Sequence, residues 1–144
     1  MPKMAIIYAS GLGRTKTMAE AISNGAMTIP GVEVVLKDAY DASLEDVKDA
    51  QAIALGGSTY NYKLIKAMDP FLKELAKLDL KGRIGVAFGS FGWSGEGVPT
   101  LIIRMKSFGM KVIEPGTTAV QVPTKEDIEK CFLLGRNIAL GLVN

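Results

Sequence analysis

The chain of 144 residues contains no histidine. That absence removes the usual imidazole general base, the Ser-His-Asp triad and nearly every catalytic zinc site. Cysteine is almost as scarce. With Cys131 alone, no disulfide, zinc knuckle or iron–sulfur site can form within one chain, so redox chemistry would have to come from a bound organic group. No apolar run approaches the ~18 residues that a membrane span requires. Net charge is small as well: 17 Lys+Arg against 15 Asp+Glu leave +2, unlike the concentrated basic surface of a nucleic-acid binder. The first residues, Met1 to Tyr8, are apolar only briefly before a glycine turn. They read as a first strand rather than a signal peptide, and the default expectation is a cytoplasmic protein.

What is present fits one globular domain spanning residues 1–144, with 48% hydrophobic and 22% charged residues. A domain of ~150 residues buries roughly 70% of its unfolded surface and needs no structural metal. Apolar runs at Lys3–Ala9, Val32–Lys37, Ala52–Gly57, Arg83–Gly89 and Lys111–Val122 read as strands. Several are nearly continuous in Ala, Ile, Val and Leu, as expected of parallel strands covered on both faces. Helices are expected over Thr15–Thr28, Leu44–Lys48, Pro70–Leu78, Val98–Phe108 and Lys125–Leu142. Asp69-Pro70 offers an N-cap and a first-turn proline. Ser43 with Asp46, and Thr124 with Asp127, have capping-box spacing. Pro30-Gly31 and Gly109 act as stops. This alternation predicts an α/β fold: a doubly wound five-stranded parallel sheet, order 2-1-3-4-5, in a three-layer sandwich. Ligands on such sheets bind beyond the carboxyl ends of the strands, which directs attention to the loops after strands one, three and four.

The first of these loops is Ser10-Gly11-Leu12-Gly13-Arg14-Thr15. Its glycines permit a tight turn, its hydroxyls add donors, and a helix N-terminus follows, a combination suited to a phosphate. Arg14 either adds a charge-assisted contact or points into solvent. The second loop, Gly56-Gly57-Ser58-Thr59-Tyr60-Asn61-Tyr62, offers backbone amides and a tyrosine, Tyr60 or Tyr62, to lie on a flat ring. The third, Gly89-Ser90-Phe91-Gly92-Trp93-Ser94-Gly95-Glu96-Gly97, gives up much chain entropy on folding and holds the only Trp. An aromatic there is a stacking platform, unless it caps the core. One phosphate site and two aromatic loops are what an isoalloxazine ring with a phosphorylated tail requires.

At these residues the chain resembles the flavodoxin superfamily, and in particular the C-terminal flavodoxin module of flavodiiron proteins (rubredoxin:oxygen oxidoreductases). The resemblance rests on Ala87 to Glu96, on Glu114-Pro115-Gly116 with Val122-Pro123, and on Glu126 to Cys131 continuing to Leu134-Gly135-Arg136. It implies FMN, held at Ser10, Gly11, Leu12, Gly13, Arg14 and Thr15 by its phosphate. Ring contacts would come from Ser58, Thr59, Tyr60, Asn61, Ser90, Phe91, Gly92, Trp93, Ser94, Gly95 and Glu96. Leu12 and Arg14 stand where flavodoxins usually carry Thr and Asn or Ser, and Tyr60 and Tyr62 depart from the flavodiiron loop pattern. No diiron domain is present in these residues, so a stand-alone module is expected.

Cys131, at helical spacing with Ile128, Phe132, Gly135 and Ala139, is expected to face or border the core. A nicotinamide reading would use Gly11, Gly13 and Asp38, but Lys16 occupies the place of the third glycine. A P-loop reading lacks Gly-Lys-Ser/Thr, and a phosphorylation-receiver reading lacks strand-end aspartates. Two main functions remain: an electron carrier serving redox protein partners, as a monomer or weak homo-oligomer, or an FMN-dependent NAD(P)H:quinone-type oxidoreductase; a cofactor-free docking module is a weaker third. The chain lacks the ~20-residue fifth-strand insertion, which marks a short-chain form, and the carrier is the favoured expectation. Lys63 and Lys66, if near the ring, would favour its anionic reduced form and raise its potential; the alternative is that both are ordinary solvated lysines.

Overall fold

Side-chain alternation along the central strands explains why the sheet is covered on both sides. In a computed structural model describing residues 1–144, β1 (Lys3–Ala9) is buried along its whole length. Met4, Ile6 and Tyr8 enter one core, while Ala5, Ile7 and Ala9 enter the other. β3 (Ala52–Gly57) repeats the pattern, with Ala52 and Ala54 on the first side and Ile53 and Leu55 on the second. A strand with a helix layer on each face has no solvent side, so both sets of residues are apolar.

Around these strands the chain adds α1 (Arg14–Ala26), β2 (Glu33–Asp38) and α2 (Leu44–Val47). After β3 come a short hairpin of β4 (Thr59–Tyr60) and β5 (Lys63–Leu64), a 3₁₀ turn at Lys66–Met68, and α3 (Asp69–Leu75). The chain finishes with β6 (Ile84–Phe91), α4 (Gly97–Ser107), β7 (Lys111–Val120) and α5 (Lys125–Val143). The main sheet is parallel throughout, in the order β2-β1-β3-β6-β7. Counting its five strands alone, this is the expected 2-1-3-4-5. Helices α1 and α5 bring Met18, Ile22, Cys131 and Ala139 to one face. Helices α2, α3 and α4 bring Val47, Phe71, Leu72, Leu75, Leu101 and Met105 to the other.

The edge strand β7 is irregular. Its register against β6 runs Val86 to Ile113 and then jumps to Phe88 opposite Thr117, leaving Glu114, Pro115 and Gly116 in a bulge. Several capping expectations hold: Thr124 N–H donates to Asp127 Oδ2 at 2.9 Å while Asp127 N–H donates to Thr124 Oγ1 at 3.1 Å. Ser43 N–H likewise donates to Asp46 Oδ2 at 2.9 Å, and Gly109, at φ 82°, follows the end of α4.

Three local expectations need correction. Asp69 is not a cap, because the 3₁₀ turn runs directly into α3 and Asp69 already has helical angles. Helix α1 ends at Ala26, ahead of Pro30-Gly31, as Thr28 and Ile29 N–H groups tighten onto Gly25 and Ala26 carbonyls. The segment after β3 is not a plain loop but folds back as the β4–β5 hairpin.

Candidate functional site

The crossover between β1 and β3 places the loops after β1, β3 and β6 side by side at the carboxyl edge of the sheet. In the first loop Gly13 takes φ 84°, a left-handed turn that an L side chain resists, and the chain enters α1 at the next residue. Ser10 Oγ accepts the Gly13 N–H at 3.0 Å. The N–H groups of Ser10, Gly11 and Leu12 find no acceptor in the protein. Leu12 stands 81% exposed, Gly11 is exposed and Arg14 is half-buried without an ion-pair partner. Unsatisfied amides beside a helix N-terminus make a ready anion site.

Thr15 lies elsewhere. It is fully buried beneath the three loops, where its Oγ1 meets Ser58 Oγ at 3.1 Å and Ser90 Oγ at 3.2 Å. It also accepts the Ser90 N–H at 3.2 Å. A hydroxyl from each loop thus meets at one buried point.

The second loop is the β4–β5 hairpin. Tyr60 pairs with Lys63, and the two residues between them, Asn61 at φ 52° and Tyr62 at φ 63°, form a two-residue turn. Positive φ at both positions is the geometry of the tightest hairpin turns, and it is uncommon for a bulky residue such as Tyr. Buried Leu64 and the Ile65 N–H, which donates to Ser58 O at 2.9 Å, anchor the base of the hairpin. Thr59 Oγ1 accepts the Gly97 N–H at 2.8 Å, tying the hairpin to the start of α4. Tyr60 and Tyr62 are left exposed.

In the third loop Trp93 is 85% exposed and caps no core. Ser90 is buried, Phe91 is half-buried, Gly92 is exposed, and Ser94, Gly95 and Glu96 are half-buried. The N–H groups from Gly92 to Glu96 donate to no protein atom. Glu96 Oε1 is sealed from solvent without a hydrogen-bond partner, an arrangement rare enough in a folded protein to call for an explanation.

Three adjoining clefts surround the hairpin. One of about 170 Å³ lies between Thr59, Asn61, Tyr62, Trp93 and Ser94. A second, of about 230 Å³, is bordered by Gly11, Arg14, Ser58, Tyr60 and Phe91. The third, of about 740 Å³, reaches along Gly11, Tyr60, Lys63, Ile65 and Lys66. The sequence-predicted residues thus gather at one edge, apart from Thr15, which lies beneath it; Ser90, though buried, still borders the second cleft. Sequence reasoning missed the hairpin walls Leu64, Ile65 and Ala67. The signal was the apolar pair Leu64-Ile65 directly after a polar loop. Lys63 and Lys66 line the third cleft and are exposed.

Away from this edge, Cys131 is fully buried among α1 and α5 side chains. Burial, with a smaller contribution from Asp127, pushes its thiol pKa up to about 11. It is a packing residue, not a thiolate. No helix is long and apolar enough to cross a membrane.

Comparison with known proteins agrees with the geometry. The family model described as flavodoxin matches residues 6–135. The type A flavoprotein fprA of Rhodobacter capsulatus is 34% identical over 140 residues, covering 94% of this chain and 32% of its own. The chain spans about a third of the length of the first curated relatives it matches. Among solved structures, a flavodoxin from the domain Archaea superposes with TM-score 0.92 at 40% identity, covering 99% of both chains. The rubredoxin oxygen:oxidoreductase of Desulfovibrio gigas superposes with TM-score 0.87 at 28% identity, over 98% of this chain and 36% of that one. With a family model covering most of its length and near-complete structural agreement, the chain belongs to the flavodoxin family of FMN-binding electron-transfer proteins.

Proposed function

We propose that this chain is an electron carrier that holds FMN at the carboxyl edge of its sheet and does no substrate chemistry of its own. The observation that carries the reading is a pair of adjoining clefts, one bordered by Gly11, Leu12, Arg14 and Tyr60 and the other by exposed Trp93, beside the unpartnered amides of Ser10, Gly11 and Leu12. The amides and Arg14 suit a phosphate dianion. Trp93 and Tyr60 suit the faces of a flat heterocycle, and the free N–H groups of Asn61 and of Gly92 to Glu96 suit its polar edge. FMN, when bound, supplies reversible one- and two-electron transfer.

The protein's own contribution is to bind, to orient and to exclude water. The only charged side chains lining the three clefts, Arg14, Lys63 and Lys66, are all basic. That composition favours a carrier over a quinone-type reductase. Two lysines beside the hairpin favour negative charge in the groove. They also present a basic rim to redox partners, whose approach is steered by opposite charge. The reading takes the carrier as cytoplasmic, and as a monomer or weak homo-oligomer.

The visible spectrum of the purified protein tests the proposal, backed by titration of the flavin-free chain with FMN. Bound-flavin bands with slow NADPH oxidation are expected. No flavin binding at all would end the reading, and rapid NADPH:quinone turnover would move it to the reductase class.

A further inference from the structure

The clefts on the two sides of the hairpin differ in charge. The one beside Trp93 is lined by Thr59, Asn61, Tyr62, Trp93 and Ser94, with no acidic or basic side chain. The cleft of about 740 Å³ on the other side is lined by Lys63 and Lys66 and by no acid. Both lysines are exposed, and neither has a carboxylate within ion-pair distance. The rest of its lining is largely apolar, from Leu64, Ile65 and Ala67. A lone anion gains little from two solvated ammonium groups. A glutamate-bearing protein segment gains more, because its methylenes meet the apolar wall while its carboxylates meet the lysines.

We propose that this outer cleft is the docking site for the carboxylate-rich surface of a small acidic electron-carrier protein, and that it shares a wall with the flavin cleft. The inference rests on the FMN reading above and adds to it where the partner binds and through which side chains. The shared wall is Gly11, Tyr60 and Ile65, which line both this cleft and the neighbouring one of about 230 Å³. Tyr60 belongs to a hairpin of only two residues per strand, with an exposed turn at Asn61 and Tyr62. Flavin that fixes this hairpin from one side leaves less of its freedom for the partner to arrest from the other. Partner affinity therefore rises when flavin is bound, and by linkage flavin affinity rises by the same factor when the partner is bound.

Titration calorimetry tests this with two oxidised probes, a strongly acidic [2Fe–2S] ferredoxin and a basic cytochrome c. The test variant is Lys63→Glu with Lys66→Glu. The control is Lys81→Glu with Lys111→Glu, which has the same net charge. Its two lysines are exposed, lack ion pairs and lie at the amino ends of β6 and β7, away from the clefts. At low salt the FMN-loaded wild type is expected to bind the ferredoxin and to bind cytochrome c more weakly. The test variant weakens ferredoxin binding by about tenfold or more, while the control stays within about threefold. Removing FMN weakens ferredoxin binding by about fivefold, the low end of ordinary coupling between sites. Tighter binding of cytochrome c by the wild type, no binding of ferredoxin, or equal losses in both variants would overturn the docking site. Ferredoxin affinity that is the same with and without FMN would overturn the shared wall. If the chain binds no flavin, the FMN reading fails, while the two variants still judge the cleft in the flavin-free protein.

Discussion

Helices α1 and α5 cross at glycines, and the crossing gives a sharp stability prediction. A Cβ built on Gly135 would overlap the Ile22 carbonyl oxygen, and one on Gly25 would overlap the Phe132 carbonyl. Both obstacles are backbone, so no side-chain rotation relieves them. For Gly135→Ala two terms oppose each other. Alanine gains about 1 kcal/mol of helix propensity over glycine. Against it, the helices must part by roughly 1.5 Å before the methyl reaches van der Waals distance. Overpacking of this kind costs about 1–3 kcal/mol and more where the backbone must move. With backbone as the obstacle the cost lies near or above the top of that range, so the clash wins, and a net loss of about 2 kcal/mol is expected, or ~4–8 °C in Tm for a chain of this size. The internal control is Gly141→Ala in the same helix, where nothing lies within 4 Å of the added Cβ. That variant gains up to about 1 kcal/mol. Urea denaturation of the flavin-free proteins, followed by circular dichroism, measures both. A Gly135→Ala protein as stable as Gly141→Ala would refute the close crossing.

Removing the exposed indole, Trp93→Ala, should raise the FMN dissociation constant about 2- to 12-fold, since ring stacking contributes ~0.5–1.5 kcal/mol beyond area burial. Fluorescence titration reads it, and unchanged affinity would take Trp93 out of the site. The double charge reversal Lys63→Glu, Lys66→Glu should lower the flavin midpoint potential and slow electron transfer from acidic carriers at low salt. A redox titration identical to wild type would remove these lysines from the ring's surroundings. Cys131 has a folded-state pKa raised from 9.0 to about 11, so the unfolded chain loses its thiol proton first. Stability should therefore fall as pH rises from about 9 to about 11. A Cys131→Ala protein, compared by denaturation at both ends of that range, should show a shallower fall. Equal slopes would contradict the burial argument.

Much of this fold was legible because parallel strands covered on both faces leave continuous apolar runs, as at Met4–Ala9 and Ala52–Leu55. Capping at Thr124 was legible for a different reason, since Asp127 sits three residues on and the whole motif is local. The hairpin was hidden because its two strands hold only two residues each and owe their shape to buried Leu64. Its turn also carries Tyr62 where glycine is the common choice. Asp69 misled because a 3₁₀ turn ahead of it took over the start of the helix. Within the site, the glycine loops announced themselves by composition. The burial of Thr15 depended on Ser90, 75 residues away, and no local pattern carries a contact of that range.

The interruption in β7 has a consequence for how the molecule keeps to itself. As the outer strand beside β6, β7 turns one row of backbone groups away from the sheet and carries exposed Ile113 and Val120. Such an edge is a template onto which another chain can add a strand. The Glu114–Gly116 bulge divides that row into two short stretches, and Pro115 removes a donor from the middle. Glu114, held by an ion pair to Lys106, leaves a charge beside the gap. The irregular strand therefore protects a concentrated solution of this protein from edge-to-edge polymerisation, and straightening it would put solubility at risk before it touched the flavin groove.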